Sequence, residues 1–206
     1  MTARFALALM AALAALPAGA QEPVLPAQEE AAAAEIPFNV DAAESQRKAR
    51  LNRLFDSLAS AETAEDAKRF ERAIDRIWAV SGSPTADLLT ARALILVETD
   101  ESGGALTLLG AALEAKPDYA EGWNKRATLF YLRGDYVSAM AALRETLRHE
   151  PRHYGAGAGI GRILQTAGDN QKALDAYRRA LAIYPHLEDL KEEADALALK
   201  LQGEEL

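Results

Sequence analysis

The chain has 206 residues, 23 basic and 31 acidic side chains, a formal charge of −8 and no cysteine. These numbers exclude disulfides, thiolate metal sites, cysteine nucleophiles and an N-terminal lipid-modified cysteine, and the acidic balance argues against nonspecific nucleic-acid binding. Half of the residues are hydrophobic but only 6% are aromatic, and 45 alanines account for the difference, which points to many close-packed helices rather than one thick aromatic core.

In chain order, residues 1–20 read as a cleavable signal peptide. Arg4 gives a short positive region, Phe5 to Leu16 is a twelve-residue apolar run, Pro17 breaks it, and Ala18 and Ala20 stand at −3 and −1 before Gln21. That run is too short for a permanent membrane span, and no later stretch approaches the ~18 apolar residues one needs. The expected location is periplasmic or secreted. Cleavage after Ala20 removes one basic residue and leaves 22 against 31, a charge of −9. Residues 21–40, with Pro23, Pro26, Pro37 and four glutamates, read as a flexible acidic linker.

Residues 41–83 are predicted to form a helical hairpin. Leu51, Leu54, Phe55 and Leu58 follow i, i+3, i+4, i+7, as do Phe70, Ala73, Ile74, Ile77 and Trp78. Thr63-x-x-Asp66 between them is a variant capping box, and Ser81-Gly82-Ser83-Pro84 closes the hairpin with Pro84 at the first position of the next helix.

From residue 84 to 206 a period organises the chain. Pro117, Pro151 and Pro185 are evenly spaced, and aligning on them gives windows 86–119, 120–153 and 154–187. A small residue recurs at position 8 (Ala93, Ala127, Gly161) and alanine at position 20 (Ala105, Ala139, Ala173), where two helices must touch. Large residues recur at 11 (Leu96, Phe130, Leu164) and 24 (Leu109, Leu143, Tyr177). Gly134-Asp135 and Gly168-Asp169 supply turns, glycine ending one helix and aspartate capping the next. The first window departs from this with Asp100 at the turn and Gly103-Gly104 three residues later; the third departs at position 4, where Gly157 replaces a large residue.

These residues resemble the tetratricopeptide repeat (TPR), a 34-residue helix–turn–helix unit. The resemblance implies an all-α, TPR-type right-handed helical solenoid of three units. Residues 41–83 are then a degenerate repeat or N-terminal capping hairpin, and 187–202 (Leu187, Leu190, Ala194, Leu197 and Leu201 on one side) is a C-terminal capping helix. The stretches LFDSLASAETAEDAKRFERAIDRIWAVSGSPTADLL and EGWNKRATLFYLRGDY are also similar to small exported proteobacterial TPR proteins.

The resemblance implies a concave groove faced by positions 2, 5, 9 and 12 of each first helix: Asp87, Thr90, Leu94 and Val97; Glu121, Asn124, Thr128 and Tyr131; Gly155, Ala158, Arg162 and Gln165. Of these, Asn124, Thr128, Tyr131, Arg162 and Gln165 are the candidate partner-binding residues, facing an extended peptide backbone or a carboxylate. The expected function is a non-enzymatic adaptor or scaffold of the cell envelope that binds a protein or peptide. The alternatives are a self-associating element using exposed Trp78 and Trp123 surfaces, and a small-ligand binder or enzyme.

No cofactor is implied. Gly155 to Gly161 carries four glycines but follows no strand, so a nucleotide loop is not supported; the readings are a loosened helix or close approach of a ligand at Gly155. His149 and His153 have a metal-like spacing interrupted by Pro151, and no catalytic set of Ser, His and Asp is discernible. The third repeat is basic (Arg152, Arg162, Lys172, Arg178, Arg179), which suits either docking of an acidic partner or local neutralisation by the acidic terminal helix, and the second is expected.

Overall fold

A computed structural model of the protein describes residues 40–99 and 101–204. The signal peptide and nearly all of the acidic linker assigned above lie outside them. The described residues form nine helices: α1 Val40–Ala59, α2 Ala64–Trp78, α3 Pro84–Glu98, α4 Ser102–Ala115, α5 Ala120–Leu132, α6 Tyr136–His149, α7 Tyr154–Thr166, α8 Asn170–Ile183 and α9 Glu188–Glu204.

Local chemistry sets most of the boundaries. Thr63 accepts the Asp66 N–H at 3.1 Å and donates its hydroxyl to the Asp66 carboxylate at 2.8 Å, opening α2. Ser83 caps α3 through the Ala86 N–H, with Pro84 in the first turn, where no N–H is needed. Asp135 and Asp169 accept the N–H groups of Ser138 and Lys172. The glycines before them hold φ of +74° and +82°, which a side chain would oppose. The first repeat turns without such a glycine, and α4 starts with no side-chain cap. Its Gly104 is instead a packing residue, since a Cβ there would come 2.9 Å from the Leu96 side chain.

Pairs α3–α4, α5–α6 and α7–α8 are the three repeat hairpins, and α4–α5, α6–α7 and α8–α9 contacts stack them. The small positions do what close approach requires. Ala93, Ala105, Ala127, Ala139 and Ala173 are all buried. In the glycine run, a Cβ on Gly157 would stand 3.3 Å from Ala180 and one on Gly159 3.2 Å from Leu143, while one on Gly161 would overlap the Tyr177 ring. Three of the four glycines are therefore explained by helix packing rather than by a loosened helix.

The α1–α2 hairpin packs where no periodicity points. Its apolar face (Leu51, Phe55, Leu58, Ala67, Ile74, Trp78) shares one core with Tyr154, Tyr177, Tyr184 and Leu190 of the third repeat and α9. It also reaches every inter-repeat junction. The Tyr119 hydroxyl donates to the Ala79 carbonyl at 3.1 Å, Tyr154 donates to Asp75 at 3.3 Å, Tyr184 donates to Glu71 at 3.0 Å, and His186 bonds the Ala61 carbonyl at 2.7 Å. Arg152 caps the Phe55 ring at 4.2 Å from its centroid.

Trp78 is only 4% exposed, which corrects its assignment to a self-association surface. It is the last buried residue of α2, and burying its large ring is what docks the hairpin. Trp123 is half-buried, with its indole N–H on the Pro117 carbonyl at 2.8 Å and Arg126 over its ring. The exposed apolar side chains are others, among them Leu88, Ile95, Leu132 and Val137.

Candidate functional site

The candidate groove residues fall into two groups. Tyr131, Arg162 and Gln165 meet around Tyr177. The Tyr177 hydroxyl donates to Gln165 Oε1 at 2.8 Å, and the Tyr131 phenol lies near both Arg162 and Tyr177. Tyr131 also leans on Tyr136, with ring centroids 5.4 Å apart. Thr128 is exposed on the same helix as Tyr131 and returns its hydroxyl to the Asn124 carbonyl. Asn124 belongs elsewhere: its side-chain N–H donates to Glu121 at 3.2 Å, and it lines a separate cleft. Two other predicted groove positions are not open, because Thr90 and Ala158 are buried.

Arg162 is already matched. Its guanidinium grips Glu193 of α9 with both Nε and Nη2, at 2.8 to 3.2 Å, and that hydrogen bonding raises its pKa further. The acidic terminal helix thus neutralises this cation, as the charge pattern suggested. What remains for a ligand at this end is the rim of Tyr131, Thr128 and Gln165 beside the Arg162–Glu193 pair.

The second feature is a cleft of about 370 Å³ between α2 and the amino-terminal ends of α5 and α7. Glu71, Asp75 and Trp78 form one wall, and Glu121, Asn124, Lys125, His153, Tyr154 and Gly155 the other. His153 organises the floor. Its Nδ1 accepts the Ala156 N–H at 3.1 Å and so caps α7, which leaves Nε2 to carry the proton and donate to Glu121 at 3.0 Å. The imidazole lies flat on the Trp78 indole, centroids 4.2 Å apart and planes 5° from parallel. Both nitrogens are committed, so His153 and His149 do not act together on a metal, and among the described residues no group of three His, Asp or Glu is placed to hold one.

Burial alone would raise the pKa of Glu121, but hydrogen bonds from His153 and Lys125 and the charge of Lys125 outweigh it and pull the group down to about 2. Asp75 shifts the other way, raised first by loss of water and then by the charge of Glu71, with the Tyr154 hydroxyl opposing. The sign for Glu121 is fixed: between its unfolded value of 4.5 and about 2 the unfolded chain binds the extra proton. This carboxylate's stabilisation, about 3 kcal/mol, is therefore complete above the unfolded value and lost as pH falls through the folded one. Acid unfolding of the wild type and of Glu121→Gln, followed by circular dichroism, checks this. The variant should be less stable at neutral pH and show a flatter acid limb, and an unchanged limb would refute the assignment.

Sequence reasoning missed the α2 wall because residues 64–78 do not follow the repeat. For His153 a signal was present: it stands immediately before a predicted helix start, the place of an N-cap, and not only at a metal-like spacing.

Comparison with known proteins follows the same pattern. The family model for the tetratricopeptide repeat matches residues 90–148 and 138–188. A TPR repeat-containing protein of Rhizobium etli is 39% identical over 161 residues, covering 78% of this chain and 79% of its own length. The small glutamine-rich tetratricopeptide repeat-containing protein 2 of Mycosarcoma maydis is 26% identical over 106 residues, 52% of this chain and 30% of that one. Among solved structures, the first TPR of Spaghetti (RPAP3) bound to the HSP90 peptide SRMEEVD superposes with a TM-score of 0.56 at 15% identity, covering 58% of this chain and 95% of that one. No described helix is long and apolar enough to cross a membrane. With its three stacked hairpins, its close-contact residues at fixed positions and a relative this similar over most of both chains, the protein belongs to the tetratricopeptide repeat family.

Proposed function

We propose that the protein is a non-enzymatic adaptor of the cell envelope that captures a protein or peptide on its first-helix surface. TPR domains mediate protein–peptide binding, and the observation that carries the reading here is the grouping of Tyr131, Arg162 and Gln165 from α5 and α7 at one place beside exposed Thr128. An aromatic ring, an amide and a guanidinium paired with Glu193 suit a polypeptide backbone better than a small molecule. The leader-like sequence of residues 1–20 supports the location.

One experiment tests both parts. A photo-cross-linking amino acid is placed at Thr128, at Gln165, or at Val137, which is 84% exposed on α6, and adducts are identified from the periplasmic fraction. The expected result is a common partner trapped at Thr128 and Gln165 and not at Val137, on a chain beginning at Gln21. Equal trapping at all three positions removes the groove reading, and recovery only from cytoplasm removes the location.

A further inference from the structure

The second and third repeats each have one side of their opening helix covered by the second helix of the repeat before. On α5 and α7 that side is the stripe at positions 3, 7 and 10: Gly122, Arg126 and Leu129, then Ala156, Ile160 and Ile163. A Cβ on Gly122 would stand 3.1 Å from Leu113 of α4, and Leu129 shares a core with Ala105 and Leu109 of α4. Ala156, Ile160 and Ile163 share one with Ala142 and Leu143 of α6. The same register on α3 gives Leu88, Arg92 and Ile95, and no described residue covers it. Leu88 is 55% and Ile95 59% exposed, Arg92 is exposed between them, and among the described helices only α4 packs extensively on α3. The α1–α2 hairpin, which precedes α3 in the chain, gives its apolar face to the third repeat instead.

Two observations say what fits there. The first is the register: in both later repeats a helix lies on this stripe, and a second copy of the chain has no such helix to offer. Its second helices α4, α6 and α8 are taken by α5, α7 and α9, and the outer side of α9 carries exposed Glu188, Glu192 and Asp195. The second is Arg92. Its counterpart Arg126 lies over the Trp123 and Phe130 rings, 5.7 and 5.3 Å from their centroids. On α3 those two ring positions are Leu89 and Leu96, and Arg92 has no ion pair among the described residues. A helix that buries the stripe must therefore bring a carboxylate, because a guanidinium covered without a partner is costly. Side-chain size adds a further demand. Leu88 stands where α5 and α7 have Gly122 and Ala156, so the incoming helix must be small where α4 presents Leu113. Ala91, at the position of Gly159, leaves room for a leucine such as Leu143, which a Cβ on Gly159 would meet at 3.2 Å.

We propose that the Leu88–Arg92–Ile95 face of α3 docks one amphipathic helix of another protein, seated as α4 is on α5 and α6 on α7. That helix carries a leucine over Ala91, a small residue four places later over Leu88, and an aspartate or glutamate for Arg92. Side-chain ridges of one helix in the grooves of the other hold such a pair. This surface goes beyond the peptide-capture reading and shares no residue with it.

The probes are capped peptides with the sequence of α6, residues 136–149, which covers this register on α7. One carries Leu147→Ala, to make room for Leu88. A second adds Arg144→Glu and Arg148→Glu, and a third is unaltered. Each is titrated into isotopically labelled protein spanning residues 21–206. The two Leu147→Ala peptides should shift the Leu88, Ala91 and Ile95 amide resonances saturably, and the acidic one should bind at least about tenfold more tightly. Arg92→Gln in the protein should abolish that preference. Ile95→Lys, at an exposed site, should leave the melting curve in place and weaken both peptides by at least about tenfold. The unaltered peptide should bind more weakly than its Leu147→Ala form. No saturable shift, indifference to Ile95→Lys, or an acidic preference that survives Arg92→Gln overturns the proposal, and an unaltered peptide that binds equally well overturns the seating on Leu88. Sedimentation of the protein alone tests the other occupant: a concentration-dependent dimer abolished by Ile95→Lys assigns the face to a second copy and overturns the proposal as well. Trapping at Thr128 and Gln165 depends on other residues, so the two readings fail separately.

Discussion

Replacing Gly161 by alanine is expected to destabilise the protein by about 3 kcal/mol, even though it adds helix propensity worth about 1 kcal/mol in the middle of α7. The added methyl would overlap the Tyr177 ring and stand 3.2 Å from the Ala173 carbonyl oxygen. Neither neighbour can yield cheaply. Tyr177 is fully buried and its hydroxyl is fixed on Gln165, while the Ala173 carbonyl belongs to the backbone of α8. The two helices must separate, which opens the junction that also carries α9. For a folded unit of this size the midpoint should fall by roughly 2–4 °C per kcal/mol. Gly155→Ala in the same helix is the internal control. Its Cβ meets nothing closer than 3.5 Å, so it should be neutral or stabilising by about 0.5 kcal/mol. Urea unfolding of the two variants side by side decides the matter, and equal effects would show that the Tyr177 contact is not what fixes glycine at position 8.

Trp78→Ala is expected to cost about 3–5 kcal/mol, the range for removing a buried large aromatic. The loss should be localised. Trp78 holds Phe55 at 5.8 Å, Tyr154 at 5.4 Å and the flat-stacked His153. Its removal therefore loosens the α1–α2 hairpin from the third repeat, together with the cap that His153 places on α7. Hydrogen exchange should rise most in α1, α2 and the first turn of α7 and least in α3 to α6, whose cores are made without the hairpin. A uniform rise over all nine described helices would mean that the hairpin and the repeats unfold as one unit.

The repeat architecture was legible because its constraints are local or periodic. A proline that stops a helix, a glycine at positive φ followed by a capping aspartate, and small residues where two helices touch each leave a mark at fixed spacing. The structure answers those marks at Gly134, Asp135, Ala139 and Gly168. The site was legible only as far as the period reaches. Position counting identified the first helices and the residues along them, but not their partners: Arg162 is gripped by Glu193 of α9, Asn124 turns to Glu121, and Thr90 and Ala158 are covered. Trp78 shows why the rest was hidden. An amphipathic helix announces that it has an apolar face; the surface that will cover that face is written in other residues, here Tyr154 and Tyr184, far along the chain and without any shared period.

The docking of α1–α2 on the third repeat changes how the array should fold. A plain stack of repeats is held by neighbour contacts alone, so its parts can melt or form one at a time from either end. Here the first two helices are tied to the last repeat through Asp75–Tyr154, Glu71–Tyr184 and Ala61–His186, at separations of 79, 113 and 125 residues. The chain is thereby closed into a loop, and the closure entropy must be met before those contacts form. Synthesis delivers the hairpin first and its binding surface last. Until His153, Tyr154, Tyr184 and His186 emerge, the apolar face of Leu51, Phe55, Ile74 and Trp78 is incompletely covered, so the N-terminal hairpin docks only after the C-terminal repeat has been made.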